Sequence, residues 1–229
     1  MPLQYAYLIG CLLYGLIWFA IFLLRKDLRK ELILITLFCA PLGFTEWLYH
    51  DYWQPLFLFP LLPRIGLEDF IYAGIVSGVS AVIYEIVAQR RTYKQRRLHP
   101  GWMGTIWLSS IFVGGTIILF VATTWLHINS VYVSVMGFGV VGSMIVWRRP
   151  DLLRDALISG LLMALTTFIV EEIWLLFYPN AFQIFWELHN VSNLLFLRVP
   201  IEEIWYSFAW GTAIGPMYEL IAGLRLRKR

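Results

Sequence analysis

Charge is scarce in this sequence. Asp, Glu, Lys and Arg make up 14% of its 229 residues, against 59% apolar residues, whereas a soluble domain is about a quarter charged and roughly half apolar. A cytosolic globule and a disordered chain are therefore poor readings. The pI is near 8.9, but the net charge is only +3 and the basic residues fall in separated clusters, which argues against nucleic acid as a partner. Cysteine is nearly absent. Cys11 and Cys39 lie inside apolar runs and offer neither a disulfide framework nor a metal-binding spacing. No dinucleotide-binding fingerprint is read here, and the first apolar run lacks a basic n-region and a small-residue cleavage site, so it reads as a retained helix. Lysine is confined to Lys26, Lys30, Lys94 and Lys228, in predicted loops or the tail. None remains in the last apolar run for a Schiff base, which disfavours retinal binding.

Long apolar runs, by contrast, are abundant. About 20 apolar residues in a helix span a bilayer core, and seven stretches qualify: Leu3–Leu24, Leu32–Tyr49, Leu67–Ala88, Met103–Leu126, Val131–Trp147, Ala156–Phe177 and Ile201–Leu224. The first loop holds Arg25, Lys26, Arg29 and Lys30, the third Arg90, Arg91, Lys94, Arg96 and Arg97, and the fifth Arg148, Arg149 and Arg154. The tail holds Arg225, Arg227, Lys228 and Arg229. Basic residues mark cytoplasmic loops. All of these share one side if seven helices begin with the N-terminus outside, leaving only Arg64 and Arg198 as exceptions. The expected location is a prokaryotic cell membrane.

The halves also resemble each other. Arg64–Arg91 aligns with Arg198–Arg225 without gaps at an offset of 134, pairing Arg64 with Arg198, Glu68 with Glu202, Asp69 with Glu203, Tyr72 with Tyr206 and Glu85 with Glu219. Upstream, an offset of 124 pairs Asp27 with Asp151, Glu31 with Asp155 and Phe44 with Phe168. Two three-helix units in the same orientation need one extra crossing between them, which the fourth run supplies. The expected fold class is all-α: a polytopic membrane bundle of seven helices, with tandem repeats at 1–98 and 128–229 joined by a linking helix at 99–127.

Seven carboxyls converge on one end of this bundle: Glu46 and Glu171-Glu172 near the ends of the second and sixth spans, and Glu68-Asp69 and Glu202-Glu203 at the starts of the third and seventh. Arg64 and Arg198 precede the last two pairs. Ionisable groups at membrane depth are costly and mark function or a partnered structural site. Acids in a first helical turn are also ordinary partners of free amides and the helix dipole. Glu46 and Glu171 sit where the dipole opposes a carboxylate, so the set favours a buried acid site. Adjacent carboxyls in an apolar pocket cannot all ionise, and such a site is expected to hold an acid able to donate a proton. Nearby aromatics include Trp47, Tyr49, Tyr52, Trp53, Trp174, Phe177, Tyr178, Phe185, Trp186, Trp205 and Tyr206. Most are expected in the interfacial aromatic belt, and a few beside the acids could stabilise a carbocation. At the other end, Glu85 and Glu219 read as interface anchors. Asp27/Glu31 and Asp151/Asp155 could hold a Mg–diphosphate group but read more readily as caps with local salt bridges.

The run Arg198-Val199-Pro200-Ile201-Glu202-Glu203-Ile204-Trp205-Tyr206 resembles the Arg-x-x-Pro-x-Glu-(Glu/Asp) motif of the lycopene cyclase domain family, and Arg64-Ile65-Gly66-Leu67-Glu68-Asp69-Phe70 resembles its first copy. Gly66 stands where that copy usually has proline, and Glu46-Trp47 where many members have Trp-Asp. The resemblance implies a redox-neutral isomerase acting on a linear carotenoid such as lycopene, with neither a flavin nor a metal. Protonation of the terminal C1–C2 double bond, closure of a six-membered ring and deprotonation would give a β- or ε-type end. It further implies catalytic roles for Glu68, Asp69, Glu202 and Glu203, with Glu202 or Glu68 as the acid. Glu46, Glu171 and Glu172 would assist them, Arg64 and Arg198 would hold the remaining charges, and Trp47, Trp205, Tyr72 and Tyr206 would contact substrate. Partners would be the bilayer, other copies of the chain or other carotenoid enzymes. Rival readings are a carotenoid hydratase, a metal-dependent prenyltransferase and a proton-coupled transporter.

Overall fold

The computed structural model describes residues 2–49, 51–88, 90–93, 101–223 and 225–228. Lys94, Arg96, Arg97 and Arg229 of the charge count, and Leu224 at the end of the seventh run, lie outside the described residues.

The protein is a helical membrane bundle. After a short 3₁₀ turn, α1 covers Ala6–Leu24, and α2 (Arg29–Cys39) continues as 3₁₀ helix over Ala40–Leu48. The change of winding coincides with Pro41, which has no N–H to donate back along the helix. A small hairpin, β1 (Pro60–Leu62) with β2 (Ile65–Gly66), then feeds α3 (Leu67–Val87). Strand β3 (Arg90–Tyr93) follows, then α4 (Gly101–Thr124), α5 (Ser130–Arg148), α6 (Leu153–Phe177) and the single-turn α7 (Ala181–Phe185). A second hairpin, β4 (Leu195–Phe196) with β5 (Val199–Pro200), feeds α8 (Ile201–Ile214); α9 (Met217–Ala222) and β6 (Arg225–Lys228) close the chain. Strands β3 and β6 pair antiparallel, joining the two halves at the end that carries the basic loops.

Among the described residues, six helical segments are long and apolar enough to cross a membrane: Leu3–Leu24, Arg29–Leu48, Leu67–Val87, Gly104–Thr124, Ser130–Arg148 and Pro150–Phe177. The seventh expected span is corrected in form. It is two helices, α8 and α9, interrupted at Gly215-Pro216, where proline again removes a helical donor. A second correction concerns glycine. Gly137-Phe138-Gly139-Val140-Val141-Gly142 does spell Gly-x-Gly-x-x-Gly, but it lies inside the continuous helix α5, without the strand-to-helix turn that would present it to a pyrophosphate.

Packing repeats between the halves. Both α1 and α2 lie against α3, and both α5 and α6 against α8, with α3 meeting α6 and α8 across the middle. The outward faces are apolar, as Leu16, Ile118 and Leu161 illustrate, and serine and threonine side chains such as Ser77, Ser159 and Thr167 are buried between helices. Small residues let the backbones approach. A Cβ placed on Gly211 of α8 would lie 2.7 Å from the Ser159 carbonyl oxygen and 2.9 Å from the Met163 Cβ on α6. Gly211→Val is therefore expected to lower stability by about 1–3 kcal/mol, read as a lower apparent melting temperature of the detergent-solubilised protein.

Candidate functional site

The two motif copies begin α3 and α8 in the same way, and one backbone atom separates their fates. In the first copy, the Gly66 amide donates to Asp69 Oδ2 at 2.8 Å, fixing Asp69 as a helix cap. Its other oxygen accepts from the Tyr7 hydroxyl at 2.8 Å. Pro200 stands at the matching position of the second copy and has no N–H to offer. The matching acid, Glu203, instead reaches into a cavity, where its Oε1 accepts from the Tyr52 hydroxyl and the Trp186 indole N–H, both at 2.6 Å.

The preceding acid of each copy has a structural task. Glu68 Oε1 accepts from the amides of Leu58 at 2.7 Å and Phe59 at 3.1 Å. Glu202 Oε1 accepts from the amide of Ser192 at 2.9 Å and the Tyr132 hydroxyl at 3.1 Å. Leu58 and Ser192 are related by the same offset of 134 that relates the two acids, so each carboxyl pins the equivalent loop above its helix. Neither Glu68 nor Glu202 lines the cavity. Arg198 is bound to Glu172: its Nε donates to Oε2 at 3.0 Å, and its terminal nitrogen also reaches that carboxylate. Arg64 is exposed in the β1–β2 turn and forms no ion pair with a described residue.

The cavity is lined by Tyr7, Gly10, Tyr14, Glu46, Tyr49, Tyr52, Trp53, Tyr72, Val170, Glu171, Trp174, Trp186, Glu203 and Tyr206. It draws on α1, α3, α6, α8 and both motif-end loops. Three carboxyls share it. Glu46 and Glu171 each interact electrostatically with Glu203, and Glu171 Oε2 is buried without a hydrogen-bond partner. Tyr52, in a loop, is pushed well above the usual phenol range by burial first and then by the charge and hydrogen bond of Glu203, so its hydroxyl remains a donor. Trp53 and Trp186 pair across an isolated antiparallel bridge with ring centroids 3.9 Å apart, closing the cavity where the loops of the two halves meet.

Of the expected site residues, the structure brings Glu46, Glu171, Glu203, Tyr72 and Tyr206 together in the cavity. Asp69 stands behind Tyr7; Glu68 and Glu202 hold loops, and Glu172 and Arg198 pair beside the rim. Trp47 and Trp205 point outward, 46% and 63% exposed. Tyr7, Gly10 and Tyr14 were not expected. Their signal was present as positions i, i+3 and i+7 of one face of α1. At the opposite end, Glu85 and Glu219 are corrected from interface anchors to fully buried groups, each 0% exposed, and Glu31 and Asp155 are buried beside them. Asp27 and Asp151 do form the expected local salt bridges, with Arg25 and Arg149.

An aromatic cavity holding several carboxyls, inside a helical membrane bundle, has the groups that acid–base chemistry on an apolar molecule would need. Residues 129–221 match the family model described as lycopene cyclase, so over this stretch the chain is similar to that family. The match includes Glu171, Glu172, Arg198, Glu202 and Glu203. No curated protein and no solved structure matches the chain significantly.

Proposed function

We propose that the protein is a membrane-embedded lycopene cyclase that closes a β- or ε-type ring in the aromatic cavity, with Glu171 as proton donor and Glu203 as the carboxylate that completes the reaction. The observation that carries this reading is the meeting of Glu46, Glu171 and Glu203 among tyrosine and tryptophan faces in one cavity, the mostly apolar lining with a few convergent polar groups that is typical of small-molecule sites. Glu171, whose Oε2 has no partner, delivers a proton to C2 of the terminal double bond and leaves a tertiary cation at C1. Intramolecular attack by the next double bond closes the six-membered ring and moves the cation into it. Glu203, held in place by Tyr52 and Trp186, removes a proton from an adjacent ring carbon. One proton enters and one leaves, so substrate and product have equal mass and no redox cofactor is consumed. Ring faces stabilise the cation electrostatically. Glu46 tunes the charge of the pair.

A second cavity lies between the 3₁₀ segment, α4, α5 and α8. Its wall is mostly apolar, including Leu42, Phe112, Leu119 and Val141, and it shares Tyr49 with the first. It suits the polyene chain of a substrate whose end group occupies the acidic cavity. In this reading 1–98 and 128–229 are parallel repeats linked by the crossing at 99–127, α8 with α9 forms the seventh crossing, and the N-terminus is outside.

Expression in a lycopene-accumulating bacterium tests the reading. The expected outcome is a cyclised carotenoid of unchanged mass, identified by chromatography and mass spectrometry. A product heavier by one water would assign a hydratase, and unconverted lycopene would overturn the cyclase reading.

A further inference from the structure

The carboxyl cluster at the opposite end has no part in this chemistry. Glu68 and Glu85 are 17 residues apart on α3, which at 1.5 Å per residue separates the motif end from this cluster by about 25 Å. Glu31 begins α2, Glu85 ends α3, Asp155 begins α6 and Glu219 lies in α9. All four are at most 2% exposed. One carboxylate oxygen from each of Glu31, Glu85 and Glu219 lies within 4.8 Å of the others. Among the described residues, no group outside the cluster donates to either oxygen of Glu85 or Glu219, to Oε1 of Glu31 or to Oδ2 of Asp155, while Glu85 and Glu219 meet each other. The neighbouring guanidiniums of Arg25 and Arg149 grip Asp27 and Asp151, reach the main-chain carbonyls of Glu85 and Glu219 at 3.5 Å, and act on those two carboxyls through their charge.

We infer that Glu31, Glu85 and Glu219 hold a hard divalent cation that ties the two halves of the bundle together at the end away from the cavity. Buried carboxylates without donors are strongly unfavourable unless an opposite charge joins them. Oxygen-only ligands select Mg²⁺, Mn²⁺ or Ca²⁺ over softer metals. Ca²⁺–oxygen bonds of about 2.3–2.6 Å place opposite ligands about 4.6–5.2 Å apart, so oxygens no farther apart than 4.8 Å can close on one ion with little movement. The duplication supports the placement, because Glu85 and Glu219 are repeat counterparts, as are Glu31 and Asp155. Asp155 Oδ1 already accepts from Ser159 at 3.2 Å, while Oδ2 has no hydrogen-bond partner among the described residues and the carboxyl interacts electrostatically with Glu31, Glu85 and Glu219.

The test uses the full chain in detergent, stripped with a chelator and titrated with Mn²⁺ under electron paramagnetic resonance, with the apparent melting temperature followed in parallel. The expected result is one tightly bound Mn²⁺ per chain, displaced by excess Ca²⁺ or Mg²⁺, and a melting temperature that rises on binding and falls again with chelator. Glu85→Gln and Glu219→Gln are expected to weaken binding by more than the roughly 10–100-fold that loss of even a supporting group around a metal costs. Glu203→Gln is expected to bind as the wild type does. Absence of stoichiometric Mn²⁺ binding in the wild-type chain overturns the proposal and leaves carboxyls that share protons. So does binding that survives both cluster variants, or that is lost only in Glu203→Gln. The wild-type titration decides the matter even where a variant fails to fold.

Discussion

Glu203→Gln is expected to lower the yield of cyclised carotenoid by about 10²–10⁴-fold, the usual contribution of a positioned acid or base, with Glu171→Gln comparable and Glu202→Gln far milder. A glutamine at position 203 keeps a carbonyl oxygen to accept from Tyr52 and Trp186, now at 2.6 Å from the carboxylate, so the cavity should persist while the proton acceptor is lost. At position 171 the same change removes the proton donor. At position 202 an amide oxygen still serves the Ser192 amide and the Tyr132 hydroxyl, the two partners of the native carboxyl. The measurement is pigment composition in lycopene-accumulating cells, normalised to membrane-inserted protein. Full conversion by Glu203→Gln together with loss in Glu202→Gln would return the chemistry to the first acid of the motif.

This ordering differs from the one the motif alone suggests, and the reason lies in a main-chain atom. Spacing places Glu202 and Glu203 side by side in a first helical turn, but adjacent helical residues face about 100° apart, and composition does not say which faces the cavity. The absent N–H of Pro200 and the presence of Tyr52 and Trp186 decide it, and both donors come from loops, one of them 151 residues away in sequence. The membrane class was legible from length and charge, and six of the expected spans are helices long and apolar enough to cross a membrane. The seventh expected run is two shorter helices, because its break at Gly215-Pro216 depends on local helix geometry that an apolar run does not reveal. The repeat was legible in paired residues and predicted which acids share an end of the bundle. Burial of Glu31, Glu85, Asp155 and Glu219 in one cluster was not, since a glutamate near a helix end beside arginines has the same sequence signature whether it faces water or its own counterpart in the other half.

Glu68→Ala is expected to be the most destabilising change at the motif end, by about 1–3 kcal/mol, because it removes the shared acceptor of the part-buried amides of Leu58 and Phe59, and one unsatisfied donor costs up to about 1–3 kcal/mol. Glu68→Gln retains an acceptor and should recover most of that loss. Apparent melting temperatures of the two purified variants separate the cases: similar melting of Glu68→Ala and wild type would show that the β1 loop does not depend on this carboxyl. The comparison also probes why a duplicated motif should work asymmetrically. In the first copy, Asp69 is committed to the Gly66 amide and to Tyr7, and Glu68 to the loop above it. Both acids are then occupied in holding the wall against which the second copy presents Glu203. A protein that loses fold with Glu68→Ala and turnover with Glu203→Gln has divided one inherited motif into a support and a reagent, through the presence of an amide proton at residue 66 and its absence at residue 200.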